Sequence, residues 1–78
     1  MSEALLEHLV RGIVSDQDAV TIAESERHGE PALTVQVAQG DRGAVIGRQG
    51  RTIRALEAVL KAAAGQSPVP SLEVVDED

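Results

Sequence analysis

The sequence predicts an α+β sandwich with the element order α-β-β-α-α-β and a three-stranded mixed sheet covered by helices on one face. Three observations carry this. Alternating apolar and polar residues at about 19–26 and 32–38 flank a turn containing Gly and Pro, which reads as an antiparallel hairpin. Two longer stretches, 3–14 and about 49–64, repeat apolar residues at helical spacing. A last alternating segment, Leu72 to Val74, follows the second helical region, so a crossover allows it to lie parallel to its sheet neighbour. The 78 residues make one small domain, 1–78, with an ordered core at about 3–75.

Each element has a local cause. Ser2 is placed to cap the first helix, and Glu3 suits the positive end of its dipole. Leu5, Leu6, Leu9, Val10, Ile13 and Val14 form a wide apolar stripe, which Ser15, Asp16 and Asp18 end. Val20 and Ile22 mark the first strand. His28, Gly29, Glu30 and Pro31 are turn chemistry, and Leu33, Val35 and Val37 mark the second strand. Asp41 is a good cap for a short helix, Arg42 to Ile46, that Gly47 stops. In the long helix Ile53, Leu56, Leu60 and Ala63 share one face. Gly65 ends it, and Pro68 and Pro70 prevent its continuation. Residues 76–78 read as a frayed acidic tail.

Composition excludes several functions. Apolar residues make up 42% of the chain, but eleven of them are Ala, and a chain of this length buries only roughly 60% of its unfolded surface. There is no Phe, Trp or Tyr, which argues against modules that stack bases on aromatic rings. No Cys is present, and His8 and His28 stand twenty residues apart, more naturally solvated side chains than ligands. No enzyme, metal site or cofactor is expected. No segment approaches the roughly 18 apolar residues of a membrane span. The start carries Glu3 and Glu7 and no basic run, unlike a secretory signal, so a cytoplasmic location is expected.

Charge is more informative by position than in total. Residues 42–61 hold Arg42, Arg48, Arg51, Arg54 and Lys61 against Glu57, a local net of +4. The remainder holds Arg11 and Arg27 against twelve acids, a net of −10, which completes the total of −6. One basic island on an acidic chain suggests a local anion site, although a helix that is merely basic would look the same.

The island contains Val45-Ile46-Gly47-Arg48-Gln49-Gly50-Arg51-Thr52-Ile53. Gly47 lets the chain leave one helix through angles that a Cβ disfavours, and Gly50 removes bulk where the next helix begins. Free N–H groups at that helix start, with Arg48, Gln49, Arg51 and Arg54 nearby, suit a phosphate. The dinucleotide fingerprint would need Gly at Val45, and the P-loop, counted from Gly43, would need Gly-Lys where Arg48-Gln49 stand. A bare G-x-x-G is also what an ordinary helix–turn–helix corner needs for packing.

The fuller pattern V-I-G-x-x-G-x-x-I, set between two helices, resembles the signature of the KH domain. The element order resembles the type II, bacterial arrangement of that fold. Length and motif placement are similar to the small single-KH RNA-binding proteins of the KhpA (YlqC) family, over about 3–75. Arg48 stands where Lys is common in that family, which keeps the charge and changes the donor geometry. The resemblance implies that the loop clamps about four nucleotides of single-stranded RNA. Gly47 and Gly50 would admit the backbone, Arg48 and Gln49 would meet phosphates, and Arg51 and Arg54 would extend the positive edge. Val45, Ile46 and Ile53 would supply an apolar floor, with Ile46 and Ile53 equally readable as core. Weak binding with little sequence preference is expected, because no aromatic ring is available.

A second strip on the long helix, Ala55, Val59 and Ala62, lies beside its core face. A helix apolar around most of its circumference is usually buried on more than one side, although Ala enrichment also serves helix propensity alone. The strip suggests a homodimer. The resemblance also implies pairing with a larger KH-containing protein. The function expected is that of an RNA chaperone or post-transcriptional regulator. The alternatives are a protein-assembly adaptor and a ribosome-biogenesis factor.

Overall fold

The structure, a computed structural model, describes residues 2–76. Helix α1 spans Ser2–Arg11, strand β1 Thr21–Arg27 and strand β2 Glu30–Val37. Helix α2 spans Arg42–Ile46, helix α3 Arg51–Ala64 and strand β3 Ser71–Asp76. Short 3-10 turns at Gln17–Ala19, Gln39–Asp41 and Arg48–Gly50 join them. The sheet order is β1-β2-β3, with β1 antiparallel and β3 parallel to β2. This is the expected mixed sheet.

The core is aliphatic. Ile22, Leu33, Val35, Val37, Leu72 and Val74 share one sheet face by register and meet Leu6, Val10, Val45, Leu56 and Leu60 from the helices. The opposite face carries Thr34, Gln36 and Glu73, and there the Thr34 hydroxyl donates to Ser25 Oγ at 3.0 Å. Beyond Ile22 the edge strand β1 leaves the cover of the helices, so Glu24 and Glu26 are exposed. Charges on an edge discourage pairing with a foreign strand.

Several boundaries differ from the sequence reading. Helix α1 includes Ser2 as a helical residue and stops at Arg11, three residues before the apolar stripe ends. The poor helix former Gly12 follows, and the chain tightens. Its N–H is shared between the carbonyls of His8 at 3.3 Å and Leu9 at 3.2 Å, and Ile13 N–H reaches Val10 O at 3.0 Å. The tighter turn still delivers Val14 into the core, so the helical pattern outlasts the helix.

The hairpin turn is shorter than four residues. His28 and Gly29 alone make it, both at positive φ (54° and 80°), which matches the twist of the flanking strands. Pro31 therefore belongs to β2. The pair beside a two-residue turn, Arg27 with Glu30, is the hydrogen-bonded type, so Glu26 with Pro31 is not. The nitrogen of Pro31 faces the side where β3 has not yet begun, and no ladder bond is lost.

Asp76 pairs with Val37 in β3 and is not part of a tail; residues 77–78 lie outside the described residues. In the last turn of α3, Ala63 is exposed and Ala64 is half-buried. Spacings of three and four both continue a helical seam after Leu60, and the fold turns the second inward.

Leu60 is fully buried where α3 meets the sheet. Leu60→Ala should cost about 2–5 kcal/mol, read as a lower urea midpoint with an unchanged slope.

Candidate nucleic-acid interface

Helix α2 packs on α3 and β3 and has only five residues. Its end is set by Gly47, at φ 79° and ψ 169°, whose N–H donates to Gly43 O at 2.8 Å. Arg48, Gln49 and Gly50 then make one 3-10 turn, closed by Gly50 N–H to Gly47 O at 3.1 Å. Gln49 (φ 57°) and Gly50 (φ 75°) are both left-handed, and α3 starts at Arg51.

The two glycines are required for different reasons. A Cβ on Gly47 would collide with Thr52 Oγ1 and would lie 2.6 Å from the Thr52 backbone nitrogen. The start of α3 rests directly on Gly47, so this position is closed by packing as well as by φ. A Cβ on Gly50 would meet only Arg54 Nη1 at 3.6 Å and Ile53 Cγ2 at 3.9 Å, which are ordinary contacts. Gly50 was expected to remove bulk. The structure shows room there, and the left-handed backbone alone calls for glycine.

The loop side chains divide cleanly. Arg48, Gln49, Arg51 and Arg54 are exposed on the loop and the first turns of α3. Ile46 and Ile53 are half-buried and pack against the core. Val45 has 0% exposure, so it supports the loop from beneath and has no surface to form a floor. Within the described residues one ion pair falls within 4 Å, Arg11 to Glu7 at 3.8 Å. Arg42, Arg48, Arg51, Arg54 and Lys61 are thus left without a carboxylate partner there. No side chain caps the N–H groups at the start of α3, whose fourteen residues align their dipoles toward the loop. A cleft of about 240 Å³ lined by Glu30, Pro31, Pro68, Val69, Pro70 and Ser71 lies where β2 and β3 begin, away from the loop. It contains none of these cations.

Asp41 was expected to cap α2, and it does precede that helix, but its side chain makes no capping bond. It is the buried charged residue of the described chain, 7% exposed. One carboxylate oxygen accepts Ser15 N–H at 3.0 Å, and the other accepts Asp16 N–H at 3.0 Å. These bonds to Ser15 and Asp16 hold its pKa below the ordinary aspartate value, against an opposing effect of desolvation. Nothing local in the sequence marks this role, because the partners lie 26 and 25 residues away.

On the outer side of α3, Ala55, Val59 and Ala62 are all exposed, and Val59, at 44%, is the exposed large hydrophobic residue among the described residues. His8 and His28 are exposed as well.

A three-stranded mixed sheet, helices on one face and a G-x-x-G turn between two helices together define a type II KH domain. Comparison with known proteins specifies the family. A family model described as KhpA/KhpB, KH domain, matches residues 3–74. The RNA-binding protein KhpA of Streptomyces coelicolor is 45% identical over 76 residues, covering 97% of this chain and 96% of that protein. The RNA-binding protein KhpA of Thermotoga maritima is 38% identical over 71 residues, covering 91% and 95%. That of Bacillus subtilis is 37% identical over 65 residues, covering 83% and 80%. No solved structure gives a significant match. The chain belongs to the KhpA/KhpB family of KH domains.

Two outcomes follow from this geometry. Gly47→Ala should destabilise the fold by at least about 1 kcal/mol more than Gly50→Ala in denaturant titrations, because only the first must displace backbone. The second concerns pH. The folded pKa of Asp41 is lowered, so its contribution to stability is present above the unfolded value of about 3.9 and is lost as pH falls through the folded value. The gap in melting temperature between the parent and Asp41→Asn should therefore be constant near neutrality and shrink on acidification below about pH 4.

Proposed function

We propose that this chain binds single-stranded RNA through the loop Gly47–Gly50 and acts as an RNA chaperone or post-transcriptional regulator in the cytoplasm. The observation that carries this is the set of exposed cations without carboxylate partners, Arg48, Arg51 and Arg54, gathered at an open helix start in an otherwise acidic chain. In a chain of net charge −6, several cations gathered without carboxylate partners at one place favour phosphate there. The left-handed turn presents Arg48 and Gln49 away from the core, so a sugar-phosphate chain can run along it. The relatives from Streptomyces, Thermotoga and Bacillus are named as RNA-binding proteins, which supports the same reading. The interface is then Gly47, Arg48, Gln49, Gly50, Arg51 and Arg54, with Ile46 and Ile53 at its edge.

The test replaces Arg48 and Gln49 together with Asp. Both side chains are exposed, and Asp tolerates the left-handed position of Gln49, so stability should change by no more than about 0.5 kcal/mol. Affinity for a short single-stranded oligonucleotide should fall at least about tenfold, or 1.4 kcal/mol. A folded double variant that binds as well as the parent removes the loop from the account.

The exposure of Val59 between Ala55 and Ala62 favours a second contact, with another copy of the chain or a larger KH-containing protein. Small residues on the outer face of α3 permit close helix approach. Sedimentation at micromolar concentration should show a dimer that Val59→Glu converts to a monomer, and a monomeric parent would end the homodimer reading.

A further inference from the structure

We infer that Asp41 is a positioning residue for the loop 47–50, acting by tying the start of α2 to the segment that follows α1. The inference rests on the RNA-binding reading of that loop and adds a residue that does not touch the ligand. Helix α2 is five residues long, too short to hold its own direction, and the loop begins at its last turn. Two things orient it. From one side it packs on α3 and β3, through the buried Val45. From the other, the carboxylate one residue before it accepts the backbone N–H groups of Ser15 and Asp16, one on each oxygen. Both residues are exposed, between the buried Val14 and a turn in which Asp16 O accepts the Ala19 N–H at 3.3 Å, and the Asp41 carboxylate is what ties their backbone to the start of α2. A carboxylate suits this task and an amide does not. Two converging N–H donors need two acceptors, and Asn would turn its NH2 group toward one of them.

Charge and position predict opposite signs, which makes the inference testable. Asp41→Asn removes an anion from the end of the molecule that carries Arg42 and Arg48. If Asp41 acted only through its charge, RNA would bind the variant more tightly. If it positions the loop, RNA should bind about threefold to tenfold more weakly. Affinity would be measured with a single-stranded oligoribonucleotide of about eight nucleotides, below the unfolding range of every variant. Leu5→Ala, at the far end of α1 from the tether, is the control for lost stability without lost positioning. It should lower the melting temperature and leave affinity unchanged.

Weaker binding by Asp41→Asn but not by Leu5→Ala supports the inference, and equal or tighter binding by Asp41→Asn overturns it. An equal loss in both variants also overturns it, since the effect would then be general destabilisation. The Arg48 and Gln49 double variant is run alongside. If it binds normally, the loop reading itself has failed; if it loses RNA while Asp41→Asn does not, only the positioning role has failed. Should Asp41→Asn not fold, the parent supplies the test by hydrogen exchange. Coupling is reciprocal, so adding the oligonucleotide should slow exchange of the Ser15 and Asp16 amides. Unchanged exchange at those two amides under saturation would overturn the inference.

Discussion

Because β3 lies parallel to β2, with Ala32 opposite Ser71 and Val37 opposite Asp76, the chain between them must travel back along the whole sheet before it can pair. Helix α3 makes that return. Its fourteen residues span about 21 Å, close to the roughly 20 Å of the six-residue strand that follows. The junction of α2 and α3 is consequently held beyond the C-terminal end of β2, at one end of the molecule. An antiparallel third strand would have needed only a short turn there. The position of the loop is therefore a consequence of strand direction.

Within that frame the loop is shaped by contact and backbone geometry together. Gly47 gives α3 a place to rest, with Thr52 against its α-carbon, and Gln49 and Gly50 reverse the chain in left-handed conformations. The apolar neighbours Val45, Ile46 and Ile53 anchor both helices to the core. What remains outside is polar and cationic. The same sharp turn that makes the corner compact also leaves Arg48 and Gln49 exposed and the first amides of α3 without a side-chain cap.

The acidic excess of the chain is spread over all three strands, α1 and the segment between α1 and β1, where most of it is solvated. Asp41 is the exception, and it is spent on backbone rather than on a cation. This leaves the arginines of α2, the loop and α3 without internal partners while a buried carboxylate is fully satisfied. Had Asp41 paired with a nearby arginine, the basic island would have lost a charge to the interior.

Periodicity and turn chemistry in the sequence by themselves determined the six elements and where the loop falls along the chain, because each of those signals is carried by neighbours in the chain; they allowed a parallel third strand, and pairing with β2 decided it. Arg48, Gln49, Arg51 and Arg54 were legible as exposed for the same reason. Other features were decided only by tertiary structure. The stripe through Val14 continues the helical pattern, yet Gly12 tightens the chain and ends α1 at Arg11. The turn residues 28–31 do not say where pairing stops, and strand twist selects His28 and Gly29. Val45 and Ile46 are adjacent apolar residues on one short helix, and packing alone buries the first completely and leaves the second half-exposed. Asp41 shows the limit most clearly. Its sequence neighbours describe a helix cap, while its actual partners are amides some 25 residues distant, brought to it by the fold. Local patterns specify which conformation a segment adopts; which oxygen meets which N–H across the chain is settled only when the elements pack.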